Sequence, residues 1–372
     1  MNTLAWRRAV LAILIVAAVG AVIAVPFLQG GDGGASTGTA PGATAPATPA
    51  VPAVPAGTPM QRLLPPERGV YFGVSGPALP RVRGAIPRWA ASHGVRPRII
   101  GWFQQWLSGE RAFRTDWALR IAEAGAVPMV TWEPWYAPAG QVHTPDQPRV
   151  RLARIAAGDF DPLIRRFARQ VAAYKGPVLL RLMHEMNGNW YPWGILANGN
   201  SPRDYVRAWR HVHDLFRDEG ARNVSWVWSI NNLEGPASED RQIVRYYPGA
   251  RYVDWVSTSG FNWGDAYRWS SWRDADALYG GTYRALSRFG KPIMISEIGT
   301  TGIGGTPLTW IRQTMVRLRT GYPKLRAVVW YDDVDARGLD FRLRGPTLRA
   351  LAGPAVVGRG WLRAPRIATL PD

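Results

Sequence analysis

The stretch Arg181-Leu-Met-His184-Glu185-Met-Asn187-Gly-Asn-Trp190-Tyr-Pro-Trp193-Gly194 decides the reading of this chain. It continues a short apolar run that starts at Pro177, bounded by Lys175-Gly176 upstream and a Gly/Asn-rich loop downstream. A run of that length between breakers reads as a strand of a buried parallel sheet. Glu185 then sits where strand gives way to loop. A second stretch, Lys291-Pro-Ile-Met-Ile-Ser296-Glu297-Ile-Gly, has the same form: an apolar strand with a glutamate at its exit. In a barrel of alternating strands and helices, those C-terminal strand ends are where active sites are built.

The alternation runs through most of the chain. Strands are predicted at 70–75, 98–103, 127–132, 177–185, 224–229, 252–257, 291–297 and 326–330. Helices are predicted at 81–92, 115–124, 162–174, 202–218, near 241–246, and at 274–289, 308–319 and 346–351. Eight strands, each followed by a helix, imply an α/β chain closed into a (β/α)8 TIM barrel. Arg181, Met183 and Glu185 alternate along one strand, which predicts that all three point to one face.

A lone glutamate at a strand end is commonly solvated or salt-bridged. Two of them, at the fourth and seventh strand exits with tryptophans around the first, suit glycosidic bond cleavage. That reaction needs one carboxylic acid to protonate the leaving oxygen and one carboxylate to meet the oxocarbenium-like carbon. On these motifs the chain resembles glycoside hydrolase family 26, over roughly Val70 to Leu351. The resemblance implies a retaining endo-β-glycanase of β-mannanase type. Glu185 would be the acid/base and Glu297 the nucleophile, with carboxyls about 5–5.5 Å apart. It further implies that His184 binds a hydroxyl of the sugar at the cleavage point, that Trp190 stacks on the leaving side, and that Trp330 is the platform under the cleaved sugar. Trp132 and Glu133, at the third strand exit, look like distal subsite residues, with a structural role the alternative. Arg181, sharing strand parity with Glu185, is expected beneath the pair, keeping a carboxylate ionised; a plain ion pair supporting the barrel is the alternative. Many relatives hold the nucleophile with a tyrosine near the sixth strand exit. Phe261 stands there in this chain, so Asn262 or a neighbour substitutes, or the activity departs from standard mannan hydrolysis.

The expected substrate is a polysaccharide, first a β-1,4-mannan. A β-glucan or a cell's own exopolysaccharide is the alternative among enzymes, and a non-catalytic glycan-binding or export accessory the alternative outside them. Composition agrees with a sugar cleft: 19 Trp in 372 residues is a heavy load, and the apolar face of a pyranose stacks on an indole. The net charge is +18, with all but three of the 45 basic residues arginine. No nucleic-acid motif accompanies it. Cysteine is absent, which excludes disulfides and thiolate metal sites. No second histidine is spaced to make His184 a metal ligand, and no cofactor or metal is expected. Asp332, Asp333 and Asp335 read as a solvated acidic loop rather than a calcium site.

Residues 1–29 are expected to be a cytoplasmic stub and a membrane anchor. Arg7 and Arg8 precede an uncharged run, Ala9 to Leu28, long enough to span a bilayer. A cleavable signal ending near Ala24 is the alternative. Residues 30–66, rich in Gly, Ala, Pro and Thr, read as a linker without core-forming side chains. Residues 67–372 are then the catalytic domain, held outside the cytoplasm at the cell surface or in the periplasm, or secreted if the leader is cleaved.

Overall fold

The computed structural model describes residue 55 and residues 57–138, 144–232, 240–344 and 360–371. The expected anchor, residues 30–54 and 56 of the expected linker, and the last predicted helix, 346–351, lie outside the described residues. Among the described residues no helix is long and apolar enough to cross a membrane.

Eight parallel strands close into a barrel in chain order. They are β2 (Tyr71–Ser75), β3 (Ile99–Gln105), β4 (Val127–Glu133), β5 (Val178–Leu182), β6 (Val224–Asn231), β7 (Trp255–Asn262), β8 (Ile293–Thr300) and β9 (Leu325–Tyr331). The two glutamates therefore belong to the exits of β5 and β8. Outside the barrel run α1 (Ala78–Arg81), α2 (Ala85–His93), α3 (Thr115–Glu123), α4 (Leu152–Ala156), α5 (Asp161–Tyr174), α6 (Pro202–Asp218), α7 (Asp240–Tyr246), α8 (Gly281–Leu286) and α9 (Pro307–Gly321). The predicted first helix is split in two, and the predicted 274–289 helix begins as a π-helical turn at Asp276–Gly280.

The helix α6 shows why these segments are helical. Ser201 caps it: its hydroxyl accepts from the Asp204 N–H, and Asp204 accepts in return from the Ser201 N–H. Pro202 at the first position loses no hydrogen bond. Tyr205, Ala208, Trp209, Val212, Leu215 and Phe216 then fall on one buried face. Each large side chain on it contributes about 1.5–3 kcal/mol by leaving water.

Strand alternation divides the core into two layers. Tyr71, Ile99, Val127, Met129, Leu179, Val227, Trp255, Met294, Ala327 and Val329 fill the lumen. Their outward neighbours pack under the helices. One pair of strands lies apart from the barrel: β1 (Gln61–Leu64) runs antiparallel to β10 (Arg366–Thr369). Leu63 joins the lumen cluster, and the Tyr71 hydroxyl donates to the Leu64 carbonyl at 2.7 Å. This ribbon plugs the mouth opposite the strand exits. The folded part thus begins at least as early as Gln61, inside the stretch expected to be linker through residue 66; pairing with a strand 300 residues away supplies the burial that its own composition lacks.

Candidate active site

The strand β5 ends at Leu182, before Glu185. Met183 and Glu185 take positive φ, 44° and 54°, which side-chain-bearing residues rarely adopt. These two turns break the expected alternation. Met183 packs in the outer layer with the helices, and Glu185 reaches the site from a turn pinned by its own N–H on the Ser229 carbonyl at 2.8 Å. Backbone strain at that residue is of the kind stored at functional sites, about 1–3 kcal/mol. Asn187 fixes the same turn: it exchanges hydrogen bonds with the Asn231 main chain at 2.8 and 3.1 Å. Asn231 and Asn232 accordingly shape the exit of β6.

Glu297 gets inward by a different device. Between β7 and β8 the pairing steps from Thr258↔Ile295 to Ser259↔Glu297, so Ser296 is an extra residue in β8. Such a bulge re-aims the side chains after it. Met294 and Ser296 face the lumen by alternation, and the bulge turns Glu297 inward as well.

The two carboxyls are held differently. Glu297 Oε2 lies 2.7 Å from Arg181 Nη1. Arg181 is wholly buried, donates to Ser229 Oγ at 3.0 Å and reaches Thr131 Oγ1 at 3.4 Å. Ser229, Ser257 and Ser296 link their hydroxyls beneath, forming a polar floor above the apolar lumen. Glu185 accepts from the Trp190 indole N–H at 2.9 Å and from the Ser259 hydroxyl. Burial pushes Glu297 up to about 7; the Arg181 charge opposes this and the Glu185 charge adds to it. The close ion pair alone would hold that carboxyl low, so desolvation outweighs it here.

Around this pair lie Glu133 and His184, both about 1% exposed. Glu133 Oε1 is 4.0 Å from His184 Nδ1, a nitrogen without a hydrogen-bond partner among the described residues. His184 Nε2 meets the Tyr191 hydroxyl at 2.9 Å. Burial raises Glu133 to about 8 and drives His184 well below its usual range, with Arg181 adding to the latter. Near neutral pH Glu133 is therefore mostly protonated, and burial favours the neutral imidazole of His184 over the imidazolium.

The structure thus gathers Arg181, Glu133, His184, Glu185, Trp190 and Glu297. Two expected site residues are not with them. Trp132 alternates with Glu133 and points outward, stacking on Phe167 at 4.3 Å, so it joins barrel to helices instead of lining a subsite. Trp330 is likewise in the outer layer, beside Trp310 of α9, with its indole donating to the Phe341 carbonyl at 2.8 Å. Buried to 1% exposure, it offers no free face to a sugar. Asn262 does not replace the absent tyrosine: its amide donates to Thr300 Oγ1, and its carbonyl oxygen takes the Gly264 and Arg273 N–H groups.

Sequence reading missed Ser259, Tyr191 and Tyr331. Tyr331 follows Ala327 and Val329 on the lumen face of β9 and meets Phe261 edge-on at 5.5 Å. Its hydroxyl is buried with no partner among the described residues. The alternation of Val329, Trp330 and Tyr331 was visible, but no local signal says which parity faces the lumen.

Residues 128–303 match the model of glycosyl hydrolase family 26. The chain is 33% identical to Endoglucanase H of Acetivibrio thermocellus over 281 residues, which is 74% of this chain and 29% of that protein. It is 30% identical to a mannan endo-1,4-beta-mannosidase of Bacillus subtilis over 135 residues, 35% of this chain and 32% of the other. The chain thus spans under a third of these curated relatives. Its fold superposes on a GH26 beta-mannanase from Bacteroides ovatus with a TM-score of 0.60 at 16% identity, covering 80% of this chain and 91% of that one. A modular endo-beta-1,4-mannanase from Cellulomonas fimi gives 0.61 at 18% identity, covering 80% and 72%.

Proposed function

We propose that this chain, a member of glycoside hydrolase family 26, hydrolyses internal β-glycosidic bonds of a polysaccharide by double displacement. Two buried glutamates that reach one lumen from two strand exits, one on a buried arginine and one on an indole, carry this reading. In the first step the Glu297 carboxylate attacks the anomeric carbon as Glu185 gives its proton to the departing oxygen. The C–O bond breaks and a glycosyl ester forms on Glu297. Glu185, now a carboxylate, takes a proton from water, and the water oxygen displaces Glu297 with a second inversion. Arg181 opposes the desolvation of Glu297 and so favours its carboxylate form; Trp190 and Ser259 hold Glu185 on the leaving side.

The substrate is first a β-1,4-mannan. A β-glucan is the second reading, because the 281-residue match is to a protein named an endoglucanase. Mannose and glucose differ at C2, and β-glucans can differ in linkage as well; a panel of soluble polysaccharides with a reducing-sugar assay separates the two readings. Wild type should release ends from one class while Glu297→Ala releases none. Activity that survives Glu297→Ala would refute the mechanism, and wild-type silence across the panel would favour a non-catalytic glycan binder. The same reading keeps the enzyme outside the cytoplasm on its N-terminal apolar run. Recovery of soluble protein beginning near Val25 would refute the anchor.

A further inference from the structure

The loop leaving β7 carries an aromatic ladder that the chemistry above does not use. From Phe261 in the lumen the ring centroids step 5.3 Å to Trp263, then 6.0 Å to Tyr267 and 6.3 Å to Trp269. Tyr267 and Trp269 stack nearly parallel, 7° apart in plane and 5.0 Å between centroids. Trp269 is 43% exposed. Single exposed apolar residues are ordinary. A stacked pair at the end of a ladder that starts beside the catalytic floor is not a scattered one.

The loop is also rigid, which stacking on a ligand requires. Asn262 clasps both its ends, accepting from Gly264 and Arg273. Thr301 Oγ1 donates to the Trp263 carbonyl at 2.9 Å, the Asp265 N–H reaches the Ile303 carbonyl at 3.1 Å, and Ser270 Oγ donates to the Gly264 carbonyl at 2.7 Å. Gly264 sits at φ +58°, and a Cβ there would meet the Ile303 oxygen at 1.8 Å. Only glycine lets the loop lie this close to the exit of β8. Tyr267 backs Trp269 and Trp263 meets it edge-on, and Trp269 still keeps a large part of its surface exposed.

We propose that Trp269, backed by Tyr267, is a distal sugar-stacking subsite for a neutral β-linked glycan whose reacting bond lies between Glu185 and Glu297. The proposal rests on the glycanase reading, and it adds that the chain is followed outward past the β7 exit. Pyranose C–H faces stack on a flat ring, and every unit of a neutral glycan offers one. Charge is not needed for this contact, and the exposed face is an indole.

Affinity electrophoresis and chain-length kinetics test it. Wild type and Trp269→Ala are run in native gels containing soluble β-mannan or mixed-linkage β-glucan, and kcat/KM is measured from the disaccharide to the hexasaccharide. We expect gel retardation to weaken in Trp269→Ala, kcat/KM on hexasaccharide to fall about tenfold, and the shortest cleaved substrate to be unchanged. The variant Tyr267→Ala should give a smaller loss of the same pattern. Equal loss at every length would place Trp269 in the catalytic cleft or the fold and overturn the proposal, as would no loss at all. Should wild type cleave nothing, the hydrolase reading fails separately. Retardation that depends on Trp269 would then still support the subsite, and no retardation of wild type would overturn it.

Discussion

Replacing Arg181 with methionine removes the guanidinium that pairs with Glu297 and leaves a buried carboxyl among serines. With Arg181 present, Glu297 already titrates near 7. At pH 6 it is then about one-tenth ionised. Each further unit of upward shift costs another factor of ten, about 1.4 kcal/mol. The acid limb of kcat/KM should lie near pH 7 in wild type and move up by at least about one unit in Arg181→Met, with activity at pH 6 falling at least about tenfold. Stability should follow the same sign. A carboxyl whose folded pKa is raised favours the fold below its unfolded pKa, and that contribution is lost as pH rises through the folded value. Breaking a buried pair costs about 3–5 kcal/mol when the orphaned charge must persist. At about pH 5 the orphan is neutral and the loss shrinks; at about pH 9 the orphan is increasingly ionised and the loss is larger. Urea midpoints at the two pH values, with the pH–rate profile, measure both. A stability loss independent of pH, or an acid limb that stays near the unperturbed carboxylate range, would refute the electrostatic role of Arg181.

Four further outcomes are expected. Glu185→Ala should still release an activated aryl leaving group and accumulate the covalent intermediate, with azide yielding a β-glycosyl azide by NMR; an α-azide would refute retention. Trp190→Phe removes the 2.9 Å donor to Glu185 and should lower kcat about tenfold with little change in KM; a change confined to KM would assign Trp190 to stacking instead. Glu133, raised from 4.5 to about 8, should make wild type lose stability as pH rises from about 4.5 to 8, and Glu133→Gln should remove that contribution while matching wild-type melting at about pH 4. Tyr331→Phe should leave the melting temperature unchanged, because its hydroxyl has no partner among the described residues, yet lower kcat/KM on every substrate length about tenfold; an unaltered kcat/KM would leave that hydroxyl without a role.

The barrel was legible in the chain because its signals are local. Apolar runs between glycine, proline and lysine breakers mark the strands, and amphipathic periods such as that of α6 mark the helices. The two glutamates were legible too, since each closes an apolar run. What failed was parity and pairing. Trp132 and Trp330 were placed in the cleft by their position at strand exits, yet alternation carries them to the helix side. The short strands β1 and β10 lie some 300 residues apart and carry no period of their own.

Sequence by itself determined the eight-fold alternation, the identity of the acidic pair and the buried arginine beneath it. Tertiary structure decided how each glutamate comes to face the lumen. Glu185 does so through a turn held at positive φ by the neighbouring strand's carbonyl, and Glu297 through one extra residue in β8 that exists only relative to β7. It also decided that Tyr331 and not Trp330 turns inward, and that Trp269 rests on Tyr267 outside the cleft. A bulge and a register are properties of two strands paired across long stretches of chain, so no window of a single strand contains them.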